Sequence, residues 1–220
     1  MEQKELDKII KLHEKWFMDN PNGKRANLSG EDLSGTNLCN VNLIGVNLSY
    51  ANLKGAFLNY ANLRDANLDY TNLEGANLGC TDLSNADLND TNLSDANLGW
   101  ANLKNTHLDY ADLSGADLSG VNLSDANLIG TDLREAILIW VNWHEAKGID
   151  VYVAGLQSSR ENAQLTYIPS LDVATTGCWQ NTWEATKKRV EDVYKESNPK
   201  IYKKYQLAFQ YIEAQIEADN

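Results

Sequence analysis

An all-β solenoid is the fold class that this chain of 220 residues predicts, and three observations predict it. First, leucine recurs at every fifth position from Leu28 to Leu138, and Trp143 takes the next place. Neither a helix, with a period of about 3.6, nor a strand, with a period of about 2, makes that pattern, so the middle of the chain is a short-repeat array. Second, the position two before each leucine is Ala, Thr or Val, with Glu31 the exception, so a small residue accompanies each leucine inward. Third, the positions after the leucine are polar, glycine or aromatic, which assigns them to the surface. One such unit cannot bury its leucine alone and must stack on its neighbours.

Residues 1–25 precede the array. Leu6, Ile9, Ile10, His13, Trp16 and Phe17 fall at helical spacing with charges between them, and Asp19-Asn-Pro-Asn-Gly23 ends the pattern. An open solenoid end exposes core and strand edges, so a polar-backed capping helix is expected there. A membrane-surface or partner helix is the alternative.

Residues 26–146 are the array. The unit reads Ala-Asn/Asp-Leu-x-x, as in Ala51-Asn-Leu-Lys-Gly55 and Ala116-Asp-Leu-Ser-Gly120, and the residue before the leucine is Asn or Asp except at Phe57, His107 and Ile137. This unit resembles the repeat of the pentapeptide-repeat family. The resemblance implies a right-handed quadrilateral β-helix of about six turns, four pentads to a turn. Leucine and the small residue point inward, while Asn or Asp suits a tight corner because its short side chain bonds locally and tolerates unusual φ/ψ. At about 4.8 Å per turn the rod is about 29 Å long.

A period of twenty stacks outward residues into columns. One runs Asn40, Tyr60, Cys80, Trp100, Gly120, Trp140, and the opposite one Gly30, Tyr50, Tyr70, Asp90, Tyr110, Gly130. A third is acidic, with Gly45, Asp65, Asn85, Asn105, Asp125 and Glu145, and the one across from it is mostly glycine. Stacked aromatics can simply brace neighbouring turns. They also make Tyr50, Tyr60, Tyr70, Trp100 and Tyr110, beside Asp65, Asp125 and Glu145, the candidate partner-binding residues, since aromatics are favoured interface anchors. Near the end of the rod Ile129, Ile137, Ile139 and Trp140 take outward positions, and the C-terminal segment is expected to dock over them.

Residues 147–220 lose the repeat and read as a small α/β module packing on the last turn. Val151–Ala154 and Gln164–Ile168 are predicted strands joined through Ser158-Ser159-Arg160, a third strand falls within 172–179, and helices cover about 183–196 and 200–217 around the break at Ser197-Asn-Pro199. Tyr202, Tyr205, Leu207, Phe209 and Ile212 suggest its packed face. On Gly155, Ser158-Ser159-Arg160, Gly177-Cys178 and the helical tail, this segment resembles modules that follow pentapeptide arrays in some bacterial and phage proteins. Ser158, Ser159 and Arg160 form a candidate anion site, with a solvated hairpin loop as its rival.

The formal charge of −12 sits wholly on residues 26–145, where sixteen acids meet only Lys54, Arg64, Lys104 and Arg134. Such a surface repels nucleic acid and anionic membrane and attracts a protein partner with a basic surface. There is no apolar run long enough to span a bilayer, and the charged N-terminus does not read as a signal peptide. Cys39, Cys80 and Cys178 are odd in number and widely spaced, which points to a reduced, cytoplasmic protein without a disulfide framework or zinc site. His13, His107 and His144 fall in different segments, and no nucleophile, phosphate-loop or dinucleotide motif is present, so no catalytic residue, metal or cofactor is expected.

A noncatalytic protein-binding scaffold is the first functional expectation. The second is DNA mimicry, because some pentapeptide-repeat proteins resemble acidic rods that bind gyrase in place of DNA. Duplex DNA would carry about 17 charges over 29 Å, near the −12 of this rod. A gyrase or topoisomerase, or a phage-defence nuclease or regulator, would be the target. Both a monomer and an end-to-end dimer are compatible with the array.

Overall fold

A pentad is too short for a strand of its own, and each contributes a single bridging residue. That residue pairs in parallel with the one twenty positions on, from Asn27↔Asn47 through Asp87↔His107 to Asn127↔Lys147. Four pentads therefore close one turn of a four-sided coil. The backbone ladder follows the same step: Leu53 N–H donates to Asn72 O at 2.7 Å, and Asn72 N–H donates back to Ala51 O at 3.0 Å. Every leucine from Leu28 to Leu138 is buried, and Trp143 with them. The threonines in the small-residue position bury a hydroxyl without cost, because Thr71, Thr81 and Thr91 donate to the carbonyls of Leu48, Leu58 and Leu68 at 2.7 to 2.8 Å.

The computed structural model describes residues 1–156, 164–177 and 179–219 and divides into two compact units. The first is Met1–Ile137 with Val141–Gly148 and holds the coil. Helix α1 (Gln3–Phe17) belongs to it and buries Leu6, Ile10 and His13. This helix supplies hydrogen-bond partners to the first turns. Gln3 donates to Asn37 O and accepts from Asn37 N–H, both at 3.1 Å, and the Ala26 N–H donates to His13 Nδ1 at 3.1 Å. Gly23 lets the returning chain press against the helix, where a Cβ would lie 2.1 Å from the Trp16 nitrogen.

The second unit is Leu138–Trp140 with Ile149–Asn220. Its antiparallel sheet runs β1 (Tyr152–Gly155), β2 (Gln164–Ile168), β3 (Val173–Thr176) and β4 (Trp179–Asn181), in sequence order. Leu165 faces Thr176 and Thr176 faces Trp179 across the pairs. Helices α2 (Trp183–Tyr194) and α3 (Pro199–Asp219) follow. Trp183, Val190, Phe209 and Ile212 pack with Leu165 and Ala174 into the core.

The sequence predicts one strand within 172–179. β3 forms there, and a further strand that the sequence does not predict, β4, follows it, with Gly177 in the left-handed region between them at φ +58°. Pro199 opens α3 rather than preceding it, since the first turn needs no proline N–H and the Asn198 side chain accepts from Ile201 N–H at 3.2 Å. Leu207, expected on the packed face, is exposed; the helix turns it away from Phe209 and Ile212. The Leu138 N–H donates to the Gln180 side chain at 2.5 Å. No described helix is long and apolar enough to cross a membrane.

Candidate functional site

The corners of the coil set what it can display. Every fifth residue from Gly30 to Glu145 is left-handed, with φ between +54° and +69°. Glycine fills eight of these corners, and the others hold Asn, Asp, Glu, Cys, Tyr or Trp. The sequence placed the unusual backbone at the Asn or Asp before the leucine; the structure puts it at the second residue after the leucine. The Asn or Asp has a different duty: its Oδ1 accepts the N–H two residues on, as Asn97 does from Gly99 at 2.9 Å and Asp117 from Ser119 at 2.9 Å. That side-chain bond bends the chain toward the corner.

Tyr50, Tyr60, Tyr70, Trp100, Tyr110 and Trp140 all stand at left-handed corners and are exposed. A non-glycine residue there costs about 1–2 kcal/mol. On one side Tyr50 stacks on Tyr70 with centroids 4.9 Å apart and planes 6° apart. Asp90 beside the Tyr70 hydroxyl raises its pKa, through its charge first and a hydrogen bond second. Tyr110 lies over Gly130, where a Cβ would come within 2.6 Å of the ring. On the opposite side Trp100 lies over Gly120 at the same hypothetical separation. Tyr60 and Trp100 have the small Cys80 between them in the column, and each keeps more than 60 % of its surface, 62 % and 63 %.

A groove of about 380 Å³ lies at this second column, lined by Tyr60, Cys80, Trp100, Asn97, Asp117 and the glycines 79 and 99 among others. The corner columns alone do not reveal it. Writing the sequence twenty residues to a row does, because Gly79 and Gly99 then stand one above the other where the same row positions above and below hold Asn59 and Ser119.

Charge is unequally spread around the coil. The side made of pentads 31–35 to 131–135, whose corners are mostly glycine, carries seven acids and two bases. The side made of pentads 36–40 to 136–140, which contains the groove, carries only Asp117. All four bases of the array are paired: Lys54 with Glu74, Arg64 with Asp65, Lys104 with Asp125 and Arg134 with Asp132. The hydrogen bond from Arg134 holds the Asp132 carboxyl below the usual range. Two of the three candidate acids, Asp65 and Asp125, thus already face a cation. Asp65 also accepts from Asn85 at 2.9 Å, and Asn85 from Asn105 at 3.0 Å, so this column is a hydrogen-bonded ladder.

The twenty-residue step also brings Asp125, His144 and Glu145 together, with their ligand atoms within 4.8 Å of one another. The sequence expects no carboxylate at ligand spacing from a histidine, and misses this cluster because Asp125 arrives from the turn before. The ammonium of Lys104 lies 3.6 Å from Asp125. His107 Nδ1 meets Asp87 at 2.7 Å on the exposed surface.

Ile129, Ile137 and Trp140 are exposed and Ile139 is half-buried, and Leu138–Trp140 falls in the same compact unit as the C-terminal segment. The pentad of Ile129 and the pentad of Ile137, Ile139 and Trp140 are two steps apart in a four-step turn, which puts them on opposite sides. Ser158, Ser159 and Arg160 lie outside the described residues.

The pentapeptide-repeat family model, in eight copies, matches residues 24–59, 47–79, 58–95 and 96–135, just over half of the chain. No curated protein matches. Among solved structures, HetL, a pentapeptide repeat protein involved in heterocyst differentiation regulation in the cyanobacterium Nostoc sp. strain PCC 7120, is 35 % identical over 56 % of this chain and 62 % of its own, with a TM-score of 0.31. QnrB1, a plasmid-mediated fluoroquinolone resistance protein, is 20 % identical over 57 % of this chain and 66 % of its own, with a TM-score of 0.48. A pentapeptide repeat protein of the Arabidopsis thaliana thylakoid lumen is 32 % identical over 51 % and 71 %, with a TM-score of 0.22. The chain spans less than two thirds of the length of HetL and of QnrB1.

Proposed function

The chain belongs to the pentapeptide-repeat family, and on that premise we propose that its rod, a right-handed coil of about six turns, is a noncatalytic scaffold that binds a protein partner in a reducing, cytoplasmic setting. One observation carries the proposal: six exposed aromatic side chains stand at corners whose backbone favours glycine. Glycine occupies eight of the other corners, so the coil itself does not require a ring there. Backbone strain kept at exposed recognition residues is the pattern expected of a binding surface. Bracing accounts for Tyr50 and Tyr70, which stack on each other. Tyr60 and Trp100 have Cys80 between them in their column and present their rings at the surface, Trp100 over Gly120. The array offers open columns of carboxylates rather than an enclosed pair, so an acid and a base with separated pKa values have no place to form.

The charge distribution supports a second reading, in which the acidic rod stands in for duplex DNA before a gyrase, a topoisomerase, or a phage-defence nuclease or regulator. The whole −12 resides on residues 26–145. The single charge on the side with Tyr60 and Trp100 favours the scaffold, since duplex DNA has no uncharged side.

The test is capture of partners from host lysate by the full chain, repeated with two variants. Tyr60→Ala with Trp100→Ala is expected to abolish capture if the aromatic column binds. Asp65→Asn, Asp125→Asn and Glu145→Gln together, with rising salt and competing duplex DNA, are expected to abolish it if the rod mimics DNA. Capture indifferent to both sets would overturn both readings.

A further inference from the structure

Resting on the scaffold reading, we propose that the groove between Tyr60 and Trp100 receives an arginine side chain of the partner protein. The groove has two ring walls, a floor lowered by Gly79 and Gly99, and one charged group, Asp117. Asp117 Oδ1 accepts from Ser119 N–H at 2.9 Å. Its Oδ2 is directed along the floor, 3.8 Å from where a Cβ on Gly99 would stand. A guanidinium laid in the groove therefore meets a carboxylate oxygen at its edge and an aromatic face at its plane.

The two walls lie two turns apart, about 10 Å at sheet spacing. That gap admits a planar group stacked on one ring and leaves room for a second contact. Arginine fits these demands better than lysine, because its planar, weakly hydrated head both stacks on aromatic faces and forks onto a carboxylate. Charge complementarity points the same way. The groove side itself bears one negative charge, while the rest of the array adds a net eleven around it, and that field concentrates cations at the surface. The surrounding side is otherwise neutral and partly apolar, with Phe57 exposed nearby in the column of Asn77 and Asn97, so a cation entering here is desolvated beside a ring instead of dispersed among carboxylates.

Two glycines make the groove, and neither is left-handed, so their absence of side chain is not a demand of the backbone. The equivalent positions one turn away hold Asn59 and Ser119, which shows that the coil accepts side chains in that place. Gly99→Asn therefore fills the groove, provided that the Asn97 side-chain oxygen, 3.3 Å from the new Cβ, gives by a few tenths of an ångström.

The experiment titrates the full chain with a blocked Gly-Arg-Gly peptide and with its neutral citrulline counterpart. Readouts are amide and indole chemical shifts and the alkylation rate of Cys80, an exposed thiol in the groove wall. The arginine peptide is expected to shift Trp100 and Asp117 saturably and to slow Cys80 alkylation, with about tenfold weaker binding for citrulline. Asp117→Asn should erase that preference, and Gly99→Asn should erase binding of both while far-UV spectra and melting stay as in the parent. Equal affinity for the two peptides, no saturable shift up to about 10 mM, or binding that survives Gly99→Asn overturns the assignment. Partner capture that persists in Asp117→Asn and Gly99→Asn but fails in the Tyr60 and Trp100 variant overturns the arginine groove and leaves the scaffold standing; loss of neither kind of binding in the latter variant overturns the scaffold.

Discussion

The coil and the C-terminal unit put the same residue types to opposite use. In the C-terminal unit aromatic rings pack on one another: Tyr167 lies 4.4 Å from Trp183, Trp183 meets Phe209 edge-on at 5.2 Å, and Tyr194 stacks on Tyr205 at 5.6 Å. In the coil, leucine and alanine fill the interior and the corner rings point outward. A periodic core needs only one leucine and one small residue per five, so its remaining positions are released from stability. An aperiodic core must recruit whatever large residues it has. Exposure of an aromatic residue therefore argues for recognition in the coil, whereas an aromatic residue in the C-terminal unit argues first for packing.

The sharpest break in this comparison is a pair of truncations. Phe209→Ala is expected to cost about 3–5 kcal/mol, the range for a buried aromatic residue, and to unfold the C-terminal unit. Trp100→Ala, at an exposed corner, should move stability by less than about 1 kcal/mol. Urea unfolding followed by far-UV dichroism and by tail-specific proteolysis separates the two. If Trp100→Ala destabilises as much as Phe209→Ala, the outward rings belong to the core and the comparison fails.

The same contrast explains what was legible in the sequence. The period of five was enough to place every inward leucine, and the twenty-residue step was enough to place the columns. The left-handed corners were not legible in their position, because Tyr, Trp and Glu do not announce a positive φ as glycine does and the Asn or Asp before the leucine drew the expectation instead. The groove was missed because it is made by an absence, two glycines one turn apart. In the C-terminal unit the helices were legible from their breaks and caps. The β3–β4 hairpin was not, since the three residues of β4 carry too little pattern to announce a further strand after β3. The period also contained the separation of Ile129 from Ile137, Ile139 and Trp140, since pentads two steps apart face opposite ways.

A smaller effect sharpens the role of the corners. Gly75 has φ +62° and open space where a Cβ would stand, so Gly75→Ala should cost only the left-handed strain, about 1 kcal/mol. Gly120 has φ +69° and lies under Trp100, where a Cβ would meet the ring at 2.6 Å. Gly120→Ala should cost about 2 kcal/mol, because strain and displacement of the ring add. Thermal melts give the stabilities, and the Trp100 indole resonance reports the displacement. Equal costs at the two positions would mean that Trp100 does not rest on Gly120.

The smallest effect distinguishes the two units by pH. All three histidines lie in the first unit and none in residues 149–220. His13 is fully buried on α1, and its Nδ1 accepts from Ala26 N–H, which requires the neutral ring. Burial lowers its pKa, outweighing the opposite pull of the Ile44 backbone. The folded ring thus resists a proton that the unfolded chain takes up at its ordinary pKa of 6.5. Stability from this group is complete above that value and falls as the pH drops below it, because the unfolded state then binds more protons. The loss should approach about 1 kcal/mol, the scale of the one hydrogen bond that protonation breaks. Unfolding of the first unit is expected to become easier between pH 7 and pH 5.5 while the C-terminal unit holds. His13→Gln, whose side-chain oxygen can accept the same Ala26 N–H, should flatten that response. A slope unchanged in His13→Gln would show that His13 does not set it.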